Sequence, residues 1–209
     1  DLASFGCDHI NDIVTDTRGR VYVDCLAYHM HWAPPEKVDG ETIYRFENQA
    51  KHAPADLTDV LVLVDSDGSS RVVASELMGP NGLAITGDGK YLIVAEWRAH
   101  RITRFRILDD GSLTDRQHFG DTLGLPDGLC VDVEDAVWYS SPETGDCVRM
   151  AFGGQILERV VPRFGRRVTS CVLGGDDRRQ LFLTTDRHPE IGGGCIEMTT
   201  VQVPGTGYP

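Results

Sequence analysis

The chain has no apolar run of the roughly 18 residues that a membrane-crossing helix needs, and its first residues do not follow the basic-then-apolar order of a signal peptide. A soluble, cytoplasmic protein without a membrane partner is the expectation. Basic residues are scarce, with 20 Lys and Arg against 32 Asp and Glu and a formal charge of −12. Such a field repels phosphate backbones and attracts cations, so nucleic acid is excluded as a partner. No Cys-x-x-Cys pair occurs among the six cysteines, so neither a zinc site nor a redox dithiol is indicated. We read Cys7, Cys25, Cys130, Cys147, Cys171 and Cys195 as reduced and structural. Helix-period windows are missing, and there is no Gly-x-Ser-x-Gly elbow, which disfavours a serine hydrolase.

The chain does contain repeats. Hydrophobic residues make up 41% of 209 positions, enough for one globular core. Four segments, starting at Asn11, Asn81, Asp127 and Thr169, each read as an apolar strand, a turn rich in Asp and Gly, and a second strand rich in β-branched and aromatic residues. Two carry the same introduction, Pro80-Asn81-Gly82-Leu83 and Pro126-Asp127-Gly128-Leu129. The starts are spaced by 70, 46 and 42 residues. A period in the low forties with about four strands per unit is that of a β-propeller blade. The expectation is therefore an all-β fold, residues 1–209 forming a single propeller domain with about four legible blades, the last without an outer strand.

In a propeller the first strand of every blade lines the central channel. Asn11, Asn81, Asp127 and Thr169 should thus ring one mouth of that channel. An isolated Asn-Gly or Asp-Gly is most often just a turn, but a preceding Pro and a following apolar strand in both copies favour a site. Oxygen donors of this kind suit hard cations such as Ca²⁺ or Mg²⁺, with Zn²⁺ or Mn²⁺ also possible. The loops joining second and third strands open on the same mouth, among them the one holding Glu96 and the one holding Glu143. The first blade has instead about thirty residues between Cys25 and Asp59 without clear structure, the length of a lid or binding loop. Its His29, His31 and Trp32 are candidate substrate contacts, or else part of a surface excursion packed on its own aromatic residues; Glu96, on its mouth loop, is a further candidate substrate contact.

Taken together, the Asn11-Asp12 blade start, Pro80-Asn81-Gly82-Leu83 with the following Thr-Gly-Asp-Gly-Lys-Tyr-Leu-Ile-Val-Ala-Glu96, Pro126-Asp127-Gly128-Leu129 ahead of Val137-Trp138, and Gly174-Gly175-Asp176 ahead of Leu181-Phe182-Leu183-Thr184 resemble the senescence-marker-protein, gluconolactonase and luciferin-regenerating-enzyme-like family of six-bladed propellers. The resemblance implies a divalent-metal-dependent hydrolase acting on a lactone or similar ester, with Ca²⁺ foremost. It assigns Asn81 and Asp127 as metal ligands, Asp127 also as general base, and Asn11 as a substrate or water contact. The family's further ligand, a glutamate in a Glu-Gly-Pro element, is missing. Glu96 or Glu143 is the expected replacement, and about two blades, some eighty residues by the blade period, are absent. Another chain or segment completing the propeller, or closure with fewer blades, would account for this. The competing expectation is a non-catalytic propeller that binds a small molecule or protein.

Overall fold

In the computed structural model, residues 2–27, 31–32, 36–38, 41–43, 46–47, 59–186 and 192–207 are described, with no side chains described between 31 and 47. The described residues form 19 strands and three single 3-10 turns. The first blade comprises β1 (Ile13–Thr15) and β2 (Val21–Cys25), joined with β7 (Asp59–Val64) and β8 (Ser70–Leu77) in the order β1-β2-β7-β8. Between β2 and β7 lie two small antiparallel pairs: β3 (His31–Trp32) with β6 (Phe46–Glu47), and β4 (Glu36–Val38) with β5 (Glu41–Ile43). The long connection thus carries nested hairpins where the sequence predicts an unstructured excursion, because its short alternating runs are too brief to read against the blade period.

The second blade has β9 (Pro80–Ile85), β10 (Tyr91–Glu96), β11 (Arg101–Ile107) and β12 (Leu113–Asp121). The third has β13 (Leu129–Val131), β14 (Val137–Ser141), β15 (Asp146–Met150) and β16 (Ile156–Val160). The fourth has three strands, β17 (Val168–Gly174), β18 (Gln180–Thr185) and β19 (Cys195–Thr200). All pairings are antiparallel, and each blade runs from its inner strand outward in chain order. The inner strands pack in sequence, β1 on β9, β9 on β13 and β13 on β17.

Period-2 alternation explains how one strand serves two interfaces. From β9, Leu83 and Ile85 turn to the first blade and join Val14, Tyr22, Leu61 and Leu63. Ala84, between them, turns to the third blade and joins Leu129, Val131 and Tyr139. A third cluster, with Trp138, Cys171, Leu181 and Leu183, seals the third blade against the fourth. Blades sandwiched in this way have strands buried on both faces, as β14 is throughout.

The cysteine expectation is corrected at one pair. Cys7 and Cys25 form a disulfide with Cα atoms 4.9 Å apart. The β1–β2 hairpin extends past its named strands through a bridge between His9 and Leu26, which carries the two ends of the hairpin toward each other. Cys130, Cys147 and Cys171 are free and buried, and Cys195 is free and half-buried.

Candidate active site

The site is assembled from three backbone segments, each tied down by side chains from elsewhere. The segment around Asn81 is held by three carboxylates. Glu96 Oε2 accepts the Met78 N–H at 2.9 Å, Asp59 Oδ2 accepts the Gly79 N–H at 2.9 Å, and Asp12 Oδ2 accepts the Leu83 N–H at 2.8 Å. Pro80, which has no N–H to satisfy, stands between these anchors. The Asp12 bond joins the first blade to the second at the level of Asn81.

The segment around Asp127 is bound by its own blade and the next. Its N–H donates to the Ser140 carbonyl at 2.9 Å, Ser140 returns its N–H and its Oγ to the Gly128 carbonyl, each at 3.0 Å, and the Gly128 N–H donates to the Thr169 carbonyl at 3.1 Å. Both Pro-x-Gly glycines sit where inner strands meet. A Cβ on Gly82 would lie 2.8 Å from the Leu129 nitrogen, and one on Gly128 would lie 2.8 Å from the Ser170 Cα. Any larger residue would push neighbouring blades apart. The glycines therefore fix the distance between the positions that precede them.

Those positions meet. The Asn81 side chain stands near enough to the Asp127 carboxylate to lower its pKa. Burial pushes the Asp127 carboxyl up to about 6, with the nearby Asp12 charge adding to the effect, while the Asn81 side chain and the Gly128 N–H oppose it. Asp12 is itself raised by burial, against the Leu83 and Ile13 N–H bonds. A partly buried carboxylate beside a second acid and an amide oxygen is short of positive charge, and that deficit is what a bound cation would relieve. The donor set of Asn81 and Asp127, all oxygen, fits a hard divalent ion. Among the described residues, no group of three or more His, Cys, Asp or Glu side chains could hold a metal ion.

The other expected site residues divide. Asn11 stands just ahead of β1 with an exposed side chain, its N–H held by Asp24 Oδ1 at 2.7 Å. Thr169 lies on β17, with Oγ1 3.3 Å from the Thr184 carbonyl. His29 lies outside the described residues; His31 and Trp32 are in β3, paired with Glu47 and Phe46. Glu96 does not join the Asn81–Asp127 pair. It is fully buried, accepting from Arg101 at 2.9 and 2.8 Å, from Thr103 at 2.5 Å, from Arg116 at 3.2 Å and from Met78. A register shift between Val94 and Glu96 breaks the alternation of β10, and the carboxylate ends among the basic side chains of β11 and β12. Glu143 accepts the Leu125 N–H at 3.0 Å.

Asp59 and Asp24 are the site-shaping residues that motif reading missed. Asp59 also accepts the Ala27 N–H at 3.0 Å and pairs with Arg98. An acid inside the apolar run Val21-Tyr22-Val23-Asp24-Cys25, on the same strand face as core Tyr22, was the available signal for Asp24.

The family described as SMP-30/Gluconolactonase/LRE-like region matches residues 7–187. The chain belongs to this family. It is 26% identical over 219 aligned positions to a 6-deoxy-6-sulfogluconolactonase of Pseudomonas putida, covering 98% of this chain and 66% of that protein. It is 28% identical over 180 positions to the pentonolactonase XacC of Haloferax volcanii, covering 84% of this chain and 52% of that protein. Among solved structures, a gluconolactonase from Xanthomonas campestris aligns with a TM-score of 0.64 at 26% identity, over 95% of this chain and 58% of that one. The chain spans between about half and two thirds of the length of these relatives. The propeller fold is shared with these relatives, which carry lactonase names, and no helix among the described residues is long and apolar enough to cross a membrane.

Proposed function

We propose that this chain hydrolyses a lactone, with Asp127 as general base and Asn81 and Asp127 as the protein ligands of a divalent cation, Ca²⁺ foremost. The observation that supports this reading is the close approach of the segments that hold Asn81 and Asp127, where a Cβ on Gly82 would lie 2.4 Å from the Asp127 carbonyl oxygen, with burial raising the Asp127 carboxyl to about 6. An acid titrating there is ionised at neutral pH yet basic enough to take a proton from water. A bound divalent ion would supply Lewis-acid polarisation of the ring carbonyl. Relatives whose names record gluconolactone and pentonolactone substrates support a sugar lactone as the small-molecule partner.

The roles of the chain's own residues follow from their placement. Asp127 accepts a proton from a water as that water's oxygen bonds to the acyl carbon. The ring C–O bond then breaks, and the departing oxygen takes the proton back from Asp127 to give the open hydroxy acid. Asn11, exposed just ahead of β1, would donate its amide N–H to the carbonyl oxygen where negative charge develops. Glu96 has no part in this chemistry, since its oxygens are committed to Arg101, Arg116 and Thr103.

Hydrolysis of aldonolactones by wild-type protein and Asp127→Ala, with Ca²⁺, Mn²⁺ or Zn²⁺ added in turn, tests the reading. Metal-stimulated activity in the wild type that falls at least a hundredfold in the variant is expected, in line with loss of a general base. Full activity in Asp127→Ala, or activity indifferent to chelator, would overturn it. A melting temperature raised by millimolar metal in the wild type and not in Asp127→Ala checks ligation separately from turnover.

A further inference from the structure

Asp24 is an acid in an otherwise apolar strand, and it is fully buried. Its Oδ1 accepts two consecutive peptide N–H groups, from Asn11 at 2.7 Å and from Asp12 at 2.9 Å, and its own N–H donates to the Asp12 carbonyl at 3.2 Å. The β1–β2 ladder begins only at Ile13 opposite Val23. Without Asp24, the two N–H groups ahead of it would lose these partners. The other carboxylate oxygen, Oδ2, is buried and has no hydrogen-bond partner.

The charged groups that face Asp24 are Asp12, just ahead of β1, and Asp59, at the start of β7. Arg98, in the turn after β10, is bound to Asp59, and β9 presents no charged residue. Asp24 therefore has acids for neighbours and no cation of its own. We propose that Asp24 is a positioning residue of the candidate site, holding the Asn11-Asp12 peptide as a neutral acid so that Asn11 meets the substrate and Asp12 anchors the Asn81 segment.

A bare anionic oxygen, buried without a donor and flanked by two other carboxylates, is costly, so the proton stays on it. Burial pushes the group up to about 7, with Asp12 and Asp59 adding to the effect and the two N–H bonds opposing it. Ionisation above that range places a third like charge beside Asp12 and Asp59. The hold then weakens at the link that runs from Asp24 through Asp12 to the Leu83 N–H, two residues beyond Asn81.

The activity arm of the test rests on the lactonase reading above; a second arm does not. Aldonolactone hydrolysis is followed between pH 5.5 and 8.5 for wild type, Asp24→Ala and Asp24→Asn. Asp24→Asn keeps the accepting oxygen and is neutral at every pH. Per folded molecule at pH 6, we expect Asp24→Ala to lose at least tenfold in kcat/KM, chiefly through KM, and Asp24→Asn to remain within threefold of wild type. Above pH 7, wild-type kcat/KM should decline relative to Asp24→Asn. An Asp24→Ala protein within twofold of wild type, or parallel pH profiles for wild type and Asp24→Asn, would overturn the proposal; the second comparison stands even where the Ala variant does not fold. If the wild type hydrolyses no lactone, the functional reading fails and amide NMR decides Asp24 alone. Asn11 and Leu83 amide signals that titrate near pH 7 in wild type and stay fixed in Asp24→Asn support the role, and signals unchanged in both overturn it.

Discussion

Asp127 has a folded-state pKa above its unfolded one, and the sign of its contribution to stability follows. A raised acid stabilises the fold fully below its unfolded value near 4, and this contribution is lost as pH rises to about 6. In chelator, the wild type should therefore lose more stability than Asp127→Asn between pH 4 and 6.5, measured as urea midpoints. Because a metal must displace the same proton, Ca²⁺ affinity in calorimetry should rise over that window and level off above it. Asn81 and Asp127 were singled out in the sequence because their Pro-x-Gly-Leu setting recurs at the blade period, and the segments that hold them pack against each other. Glu96 was misplaced because position along a strand does not reveal a register shift, and here the shift turns the carboxylate into the blade. Glu96→Ala should lower stability by about 2 kcal/mol, a figure kept modest because Arg101 and Arg116 are about one third exposed. Its metal affinity per folded molecule should stay within threefold of wild type.

At the scale of the strands, the inner edges of the blades carry the geometry of the mouth. Gly82 lies against the Asp127–Leu129 backbone and Gly128 against Ser170, and no side chain can be accommodated at either without moving an inner strand. Gly82→Ala should destabilise the protein by about 2 kcal/mol or more through overpacking and also weaken metal binding, because it separates Asn81 from Asp127. Gly68→Ala, in the β7–β8 turn, serves as the comparison. A Cβ there meets open space, and only the positive φ of 84° opposes it, for a cost of about 1 kcal/mol and no change in metal affinity. Denaturant midpoints and calorimetry on the two variants check both statements. The blade strands were readable because each hairpin repeats its Asp-Gly turn. The clasp of Asp12, Asp24 and Asp59 was not, since hydrogen bonds that a carboxylate accepts from a peptide N–H up to 71 positions away leave no trace in local pattern.

Across the whole molecule, three apolar interfaces join four blades, and the Cys7–Cys25 disulfide ties the first residues to the end of β2. That bridge spans 18 positions, for which loop-closure entropy gives a stabilisation of about 3 kcal/mol. Reduction should lower the urea midpoint accordingly, and Cys7→Ser should reproduce the loss without reductant. The period of the repeats revealed the propeller because the later blades keep it and the first departs from it only through the long connection between β2 and β7. It could not reveal the nested strands between β2 and β7, which obey no blade period, nor a pairing of cysteines that have no shared motif.

The connection between β2 and β7 leaves and re-enters the first blade at neighbouring points. Cys25 faces Val60 across the ladder, and the Ala27 N–H closes onto Asp59. Because both ends are fastened to the same sheet, the segment between them is a cassette. Changes of length or composition there should leave the Asp12, Asp24 and Asp59 hydrogen bonds in place. A library diversified between residues 28 and 58 would thus vary whatever that segment contributes without re-engineering the blades, and descendants of this chain could acquire new substrates by insertion and exchange at one locus.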